Sequence, residues 1–123
     1  MPKTLVLIYQ EAEGSAPLLE WLDALPEKAQ DKITAGIELL AERGHELRRP
    51  HCDYLEQGVY ELRVRLGHVQ YRILYGFVGR SVVLLSHGCT KEDAVPKSEI
   101  ARALRNLAAY KSAPAKHTYS EQE

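Results

Sequence analysis

This sequence contains only two cysteines among its 123 residues and has no long hydrophobic run. No apolar stretch approaches the roughly 20 residues that a membrane-spanning helix needs, which excludes that class of protein. The opening segment MPKTLVLIYQEAEG turns acidic too early for a secretory signal. Cys52 and Cys89 therefore predict free thiols in a cytoplasmic protein, not a disulfide framework. Because there is no CxxC pair and no histidine–cysteine cluster at metal-site spacing, we expect no metal and no other cofactor.

Excess charge of one sign is also lacking, since the net charge is only -1. The distribution is nevertheless uneven, because residues 1–42 carry a net charge of -5 and residues 43–111 carry +5. Such asymmetry is expected when one part of a protein meets a polyanion such as RNA. Ion pairing between the two parts of the chain explains it equally well, and the sequence leaves both explanations open.

The first part of the chain predicts a short strand followed by two helices. Residues 4–9 (TLVLIY) are rich in strand-forming side chains. Ser15 is placed to cap a first helix, whose apolar residues recur at helical spacing. Pro26 suits the first turn of a second helix, and Gly44 is placed to end it. The inward-facing positions that this spacing predicts are Leu18, Trp21, Leu22 and Leu25 in the first helix and Ala29, Ile33, Ile37 and Leu40 in the second.

Residues 59–91 read VYELRVRLGHVQYRILYGFVGRSVVLLSHGCTK and predict three antiparallel strands. Apolar and polar side chains alternate in the first two strands, as they do in strands with one buried face. Tight turns are predicted at residues 66–69 and 78–81. With two-residue loops, the apolar residues of the first two strands fall opposite one another, which supports this register.

The polar face of this predicted sheet carries a row of basic side chains. Arg63 falls directly opposite Arg72, and counting through the second turn places His87 beside Arg72. Like charges that face one another in a sheet are unfavourable, so the row requires a counter-charge. Glu61 lies on the same face and can supply part of it; otherwise a phosphate group suits the forked guanidinium groups. The alternative interpretation is a set of arginines on a solvated sheet face.

Residues 45–53 (HELRRPHCD) predict a basic loop that leads into the sheet, because Pro50 lies within them. Arg48, Arg49 and His51 all belong to this loop. The loop can line a groove for RNA, or it can be a solvated connector. The sequence does not separate these two interpretations.

The order of predicted elements is one strand, two helices, three strands and a last helix that Pro96 opens. Runs of strands and runs of helices are typical of an α+β fold. We expect an antiparallel sheet, made of the N-terminal strand and the three-stranded meander, packed by the helical hairpin and the C-terminal helix. Residues 1–111 form a single domain in this prediction, and residues 112–123 predict a disordered tail. The inward-facing residues predicted for the last helix are Ile100, Leu104, Leu107 and Ala108.

Residues 47–110 carry several motifs whose order and spacing agree with one known family. The motifs are LRRP, GVYELRVR, YRILY, the VVLLSHG strand end with a lysine after it, and PKSEIARAL. On these motifs the chain resembles the phage-derived HigB-like branch of the RelE/ParE toxin superfamily. The predicted helical hairpin also lies where that family has one. The resemblance implies a RelE-like fold and the toxin component of a type II toxin–antitoxin system.

Toxins of this branch cut messenger RNA, usually in the ribosomal decoding site, and so inhibit translation. The resemblance therefore implies a metal-independent endoribonuclease of bacterial or phage origin. The partners that it implies are mRNA, the ribosome and a cognate helix-turn-helix antitoxin of the HigA type, with which the toxin forms a hetero-oligomer. By position, the residues that match the basic RNA-cutting surface of the family are Arg63, Arg65, Arg72 and Lys91, with Arg72 the most secure match.

Metal-free RNA cleavage needs a base for the ribose 2′-hydroxyl and positive charge at the phosphate. We expect Arg72 to stabilise the phosphate charge, His87 to transfer protons, and Lys91 to stabilise charge or act as an acid. The residues expected to bind RNA are Arg63, Arg65, Arg48 and Arg49.

Two other functions stay open at this point. A gyrase-poisoning toxin of the ParE branch would use the same fold for protein binding and would need no convergent phosphate site. A catalytically inactive relative that only binds its antitoxin is compatible with Cys89 and with the acidic pair Glu92 and Asp93 beside Lys91.

Overall fold

The computed structural model describes residues 4–90 and 94–120 and has the α+β architecture that the sequence predicts. Its strands are β1 (Leu5–Ile8), β2 (Cys52–Glu56), β3 (Val59–Leu66), β4 (Val69–Phe77) and β5 (Val82–Thr90). Its helices are α1 (Pro17–Asp23), α2 (Glu27–Arg43) and α3 (Lys97–Ser112), and a 3₁₀ turn at Gly44–Glu46 follows α2.

The five strands form one open sheet in the order β1–β5–β4–β3–β2. β1 runs parallel to β5, whereas the other neighbouring strands are antiparallel. The prediction of an antiparallel sheet was therefore wrong, because the sheet is mixed. The reason lies in the path of the chain: β2 starts at the far edge antiparallel to β1, and the reversals through β3 and β4 leave β5 parallel to β1.

The predicted register between β3 and β4 is confirmed, and Arg63 lies opposite Arg72. The predicted neighbour of Arg72 on β5 was wrong, since Cys89 lies opposite Arg72. His87 lies opposite Leu74 and is a diagonal neighbour of Arg72. The shift has two causes, a connection between β4 and β5 that is longer than a two-residue loop and a bulge next to Leu74.

The sequence did not predict strand β2. The predicted basic loop, residues 45–53, extends over the start of this strand. Gln57 and Gly58 form the turn between Glu56 and Val59, with φ angles of 53° and 87°. Positive φ at both central positions is the geometry of a type I′ hairpin turn. The signal in the sequence was Gly58 at this turn, preceded by the strand-favouring Tyr54.

The sheet separates two apolar clusters. On one face α1 and α2 pack against the central strands, which confirms the predicted helical hairpin, and α3 covers the other face over β4 and β5. Ala108 was predicted to face inward but is exposed, and Ala103 and Asn106 take buried positions instead. Within the described residues, no helix combines the length and the apolar character needed to cross a bilayer. On β2, Cys52 is buried and Tyr54 is exposed, and near the end of β3 Arg65 is exposed.

Trp21 of α1 packs directly over Gly88 of β5. Its Nε1 donates a hydrogen bond to Thr90 Oγ1 at 3.3 Å, and its ring meets Tyr71 edge-on with 6.2 Å between centroids. A β-carbon at Gly88 would overlap the indole ring. The packing role expected for Trp21 therefore depends on the absence of a side chain at Gly88.

We expect Gly88→Ala to lower the free energy of unfolding by about 1–3 kcal/mol, because overpacking forces neighbouring side chains off their preferred rotamers. Urea unfolding followed by the fluorescence of Trp21, the single tryptophan, measures this change. Thr90→Val is the matched control, since it removes only the hydrogen bond of the indole and should cost less. A Gly88→Ala protein as stable as the wild type would contradict this packing.

The segment that follows α3 lies along the outer edge of β1. The Tyr119 backbone N–H donates to the Ile8 carbonyl at 2.8 Å, and the His117 ring stacks on Tyr9 with 5.4 Å between centroids. The composition predicted a disordered tail from Ser112, whereas in the structure α3 includes Ser112 and the chain then pairs with β1. The composition gave no sign of this, because an edge strand offers unpaired backbone groups to almost any sequence.

Candidate functional site

Glu61 of β3 is the centre of an ion-pair network on the polar face of the sheet. Its carboxylate oxygens lie 2.6 Å from Arg72 Nη1 and 2.9 Å from Arg63 Nη2. Arg63 Nη2 also lies 3.3 Å from Asp53 Oδ2. Arg49 Nε and Nη2 each donate to a different oxygen of Asp53 at 3.1 Å. The network thus connects five charged side chains across β2, β3 and β4.

The network shows which counter-charges the facing arginines use. Glu61 is 2% exposed and Arg72 is 7% exposed, so their ion pair is almost fully removed from water. The hydrogen bonds from Arg49 hold the pKa of the Asp53 carboxyl below its usual range. Glu61 and Asp53 supply the negative charge from within the protein. Because Arg72 is buried against Glu61, it influences the surface mainly by fixing Glu61 and, through Glu61, Arg63.

His87 is enclosed between β5 and α3 and is only 1% exposed. Its Nδ1 lies 2.8 Å from Ser86 Oγ, and its Nε2 lies 2.8 Å from Glu99 Oε1 on α3. Asn106 Nδ2 completes the network by donating to Ser86 Oγ at 2.9 Å. Both ring nitrogens of His87 are engaged inside the protein. The structure therefore does not bring His87 and Arg72 to one open site, and the proton-transfer role of His87 stays a prediction.

We expect the free energy of unfolding to fall as the pH drops below about 6.5, the usual pKa of histidine. Burial is the main cause of a lowered pKa of His87; Arg102 and Arg105 act in the same sense, while Glu99 opposes them. Between the folded and unfolded pKa values, the unfolded chain binds a proton that the folded protein excludes, so acid favours unfolding. Urea unfolding between pH 8 and pH 5 measures the slope. In His87→Gln this contribution should vanish, and an unchanged slope would contradict the assignment.

Lys91, the third residue predicted to be catalytic, lies outside the described residues, as do Glu92 and Asp93. Across residues 4–90 and 94–120, no three histidine, cysteine or carboxylate side chains are grouped so that they could hold a metal ion.

A cleft of about 540 Å³ opens at the end of β3, where β2 no longer covers the strand edge. Lys32 reaches it from α2 and donates to the Arg65 carbonyl at 2.6 Å. The His51 carbonyl accepts a hydrogen bond from the Arg63 backbone N–H at 2.8 Å, which fixes the loop beside the strand. We call this the basic cleft, and its charged and polar lining residues are Lys32, His51, Arg63, Arg65 and Gln70.

The basic cleft was only partly predictable. Arg63 and Arg65 were expected to bind RNA, and the structure brings them together. Lys32 was missed because it is one exposed lysine on a helix, and its contact with β3 exists only in the folded protein. His51 was recognised only as part of a loop that can line a groove. Gln70 Oε1 is buried with no hydrogen-bond partner among the described residues.

Arg48 and Arg49 border a second cleft, of about 560 Å³, on the other side of the same loop. Arg48 Nη1 donates to the His45 carbonyl at 2.7 Å and to the Leu47 carbonyl at 3.2 Å. The side chain of Arg49 is 75% exposed even though it pairs with Asp53. The predicted RNA-binding arginines therefore fall into two neighbouring groups and not into one.

A third cleft, of about 610 Å³, borders Trp21 and His87. Its lining includes Glu11, Glu13 and Glu20. Three carboxylates repel a phosphate, so this cleft is a poor candidate for RNA even though it adjoins His87. The basic cleft is the better candidate.

The family model described as Phage derived protein Gp49-like (DUF891) matches residues 20–108, which is most of the chain. The matched range includes α2, strands β2 to β5 and all the residues that line the basic cleft. A search of curated proteins found no match.

Proposed function

This chain belongs to the Gp49-like family of phage-derived proteins, and on that premise we propose that it is the toxin of a type II toxin–antitoxin pair. The family is compatible with such a toxin. More specifically, we propose a HigB-like toxin with a RelE-like fold that acts as a metal-independent endoribonuclease. It cuts mRNA on the ribosome and so stops translation.

The observation that carries this proposal is the basic cleft. Lys32, His51, Arg63 and Arg65 come from three separate segments and converge on one open strand edge. A cleft lined by cations attracts a polyanion and concentrates it at the surface. The guanidinium fork suits phosphate oxygens.

The lining of the cleft supports a scheme for metal-free RNA cleavage. His51 takes the proton of a ribose 2′-hydroxyl, and the resulting oxygen attacks the adjacent phosphorus. The bond to the 5′ oxygen breaks, that oxygen takes a proton from water, and a 2′,3′-cyclic phosphate is left. The hydroxide that remains takes the proton held by His51, which restores the base. Arg63 and Arg65 stabilise the charge that develops on the phosphoryl oxygens. Arg72 acts in this scheme as a positioning residue, because it holds Glu61, which holds Arg63.

We also propose the partners that go with such a toxin. A cognate helix-turn-helix antitoxin of the HigA type neutralises the protein in a hetero-oligomer. Charge complementarity across an interface favours acidic antitoxin residues at the basic cleft, where they would block the RNA. The cytoplasm is the proposed site of action, since mRNA and ribosomes are found there.

The burial of Arg72 and His87 favours a second candidate, a ParE-like toxin that poisons gyrase by protein binding. In that case the ion pairs centred on Glu61 would be structural, and no RNA would be cut. The same burial is compatible with an inactive relative that only binds an antitoxin.

Cell-free translation separates these candidates. We expect the purified protein to stop synthesis from a reporter message and to fragment that message, while DNA supercoiling by gyrase in a parallel assay is unaffected. Inhibited supercoiling with an intact message would favour the gyrase candidate. Normal translation together with normal DNA supercoiling would indicate an inactive relative.

A further inference from the structure

We propose that the cleft beside β2 is a stacking site for an unpaired nucleobase of the RNA that enters the basic cleft. The inference deepens the proposed function and rests on it, because it assigns the neighbouring nucleotide of the same RNA strand. We call this site the tyrosine cleft, and the side chains that define it are His45, Arg48, Arg49, Asp53, Tyr54 and Tyr60.

Aromatic side chains form a continuous row along this cleft. Tyr54 meets Tyr60 edge-on with 5.0 Å between centroids, and Tyr60 stacks on Tyr75 at 5.4 Å. Tyr60 also meets Phe77 edge-on, and His45 stacks on Phe77 at 3.6 Å. The row continues from the core to the surface and ends at Tyr54, which is 53% exposed although it is aromatic.

Tyr54 is held in place and is therefore ready to stack on a ligand. Its hydroxyl oxygen accepts a hydrogen bond from the Gly58 backbone N–H at 3.0 Å. The edge-on contact with Tyr60 also holds the ring. A rigid aromatic ring loses little conformational entropy on binding, which favours stacking of a base on its open face.

Two guanidinium groups lie on the phosphate side of such a base. Arg48 lines the cleft and uses Nη1 to donate to the carbonyls of His45 and Leu47. Arg49 is anchored by Asp53 and remains largely exposed. A single carboxylate beside two arginines leaves the lining positive, so the occupant is expected to be anionic as well as aromatic.

The two clefts are neighbours on either side of one short loop, so a single RNA strand can reach both. Arg49 and Arg63 both bind Asp53, the first beside the tyrosine cleft and the second in the basic cleft. The same short loop supplies Arg48 and Arg49 to one cleft and His51 to the other. A strand whose phosphate lies at Arg63 therefore passes over Asp53 and places a neighbouring base at Tyr54.

The test is the binding of a fluorescent 2′-O-methyl RNA oligomer, which cannot be cleaved through its 2′ position, to the full chain. Stacking on one aromatic side chain predicts that Tyr54→Ala weakens binding by about 5- to 150-fold. Tyr54→Phe keeps the ring and should bind nearly as well as the wild type. Leu5→Ala is the matched control, because Leu5 is also exposed and lies on the opposite edge strand of the sheet.

An oligomer with one abasic position identifies what Tyr54 contacts. The wild type should bind it less tightly than the intact oligomer, whereas Tyr54→Ala should show little difference between the two. Equal binding of both oligomers by the wild type would overturn the proposal and leave the cleft to a protein partner. Since no cleavage is measured, a chain that binds through Tyr54 but cuts no RNA would refute the proposed function and still support the stacking site.

Discussion

Replacing Glu61 with alanine is expected to lower the free energy of unfolding by about 3–5 kcal/mol, because it removes one partner of a buried ion pair. Glu61 binds both Arg63 and Arg72, and the Arg72 guanidinium lies 2.6 Å away and almost fully buried. Without the carboxylate, the buried guanidinium loses the anion that lies 2.6 Å from it. Urea unfolding measured at one pH for both proteins gives the difference directly.

Glu38→Ala is the matched control, because Glu38 is exposed on α2 and its removal should change stability by no more than about 0.5 kcal/mol. A Glu61→Ala protein within that same limit would show that the network contributes little to the fold. The result also decides how Arg72 is interpreted. Since Arg72→Ala leaves Glu61 buried with one partner fewer, a loss of RNA cutting in that variant reports on stability and positioning as well as on catalysis.

Replacing His51 with alanine is expected to slow RNA cleavage by about 10²- to 10⁴-fold, the range typical for the loss of a general acid or base. His51 lies in the basic cleft beside Arg63 and Arg65, and its side chain is exposed, so its loss should leave the fold intact. Single-turnover cleavage of mRNA on programmed ribosomes measures the chemical step apart from product release.

His68→Ala is the control for this experiment, because His68 is equally exposed but lies in the turn between β3 and β4. It should cleave at the wild-type rate. Wild-type rates in both variants would remove His51 from the chemistry, and His87 or Lys91 would then be the groups to test for proton transfer.

The sequence was sufficient where local patterns decide the structure. Alternating apolar residues in β3 and β4 exclude a one-residue slip, and the two-residue turn between the strands selects the register, so Arg63 could be placed opposite Arg72. The partner of Arg72 on β5 could not be placed in the same way, because a bulge beside Leu74 shifts the pairing and has no signature in the alternation.

In the candidate site too, some features followed from the local sequence and others only from the folded structure. Charge repulsion predicted that the facing arginines need a counter-charge, and Glu61 was one of the two sources considered. Burial decides between those sources, and burial depends on the packing of the whole sheet. Lys32 reaches Arg65 only because α2 lies across the sheet, so its contribution to the basic cleft could not be found without the fold.

The most direct test of RNA cutting in the basic cleft is a map of mRNA 5′ ends after induction in a bacterial host. Three proteins are compared: the wild type, Arg65→Ala and the control Arg80→Ala, which removes an exposed arginine from the turn between β4 and β5. We expect new 5′ ends inside translated messages for the wild type and Arg80→Ala, and few or none for Arg65→Ala. Growth arrest by the wild type without new 5′ ends, or the same ends with Arg65→Ala, would contradict this expectation.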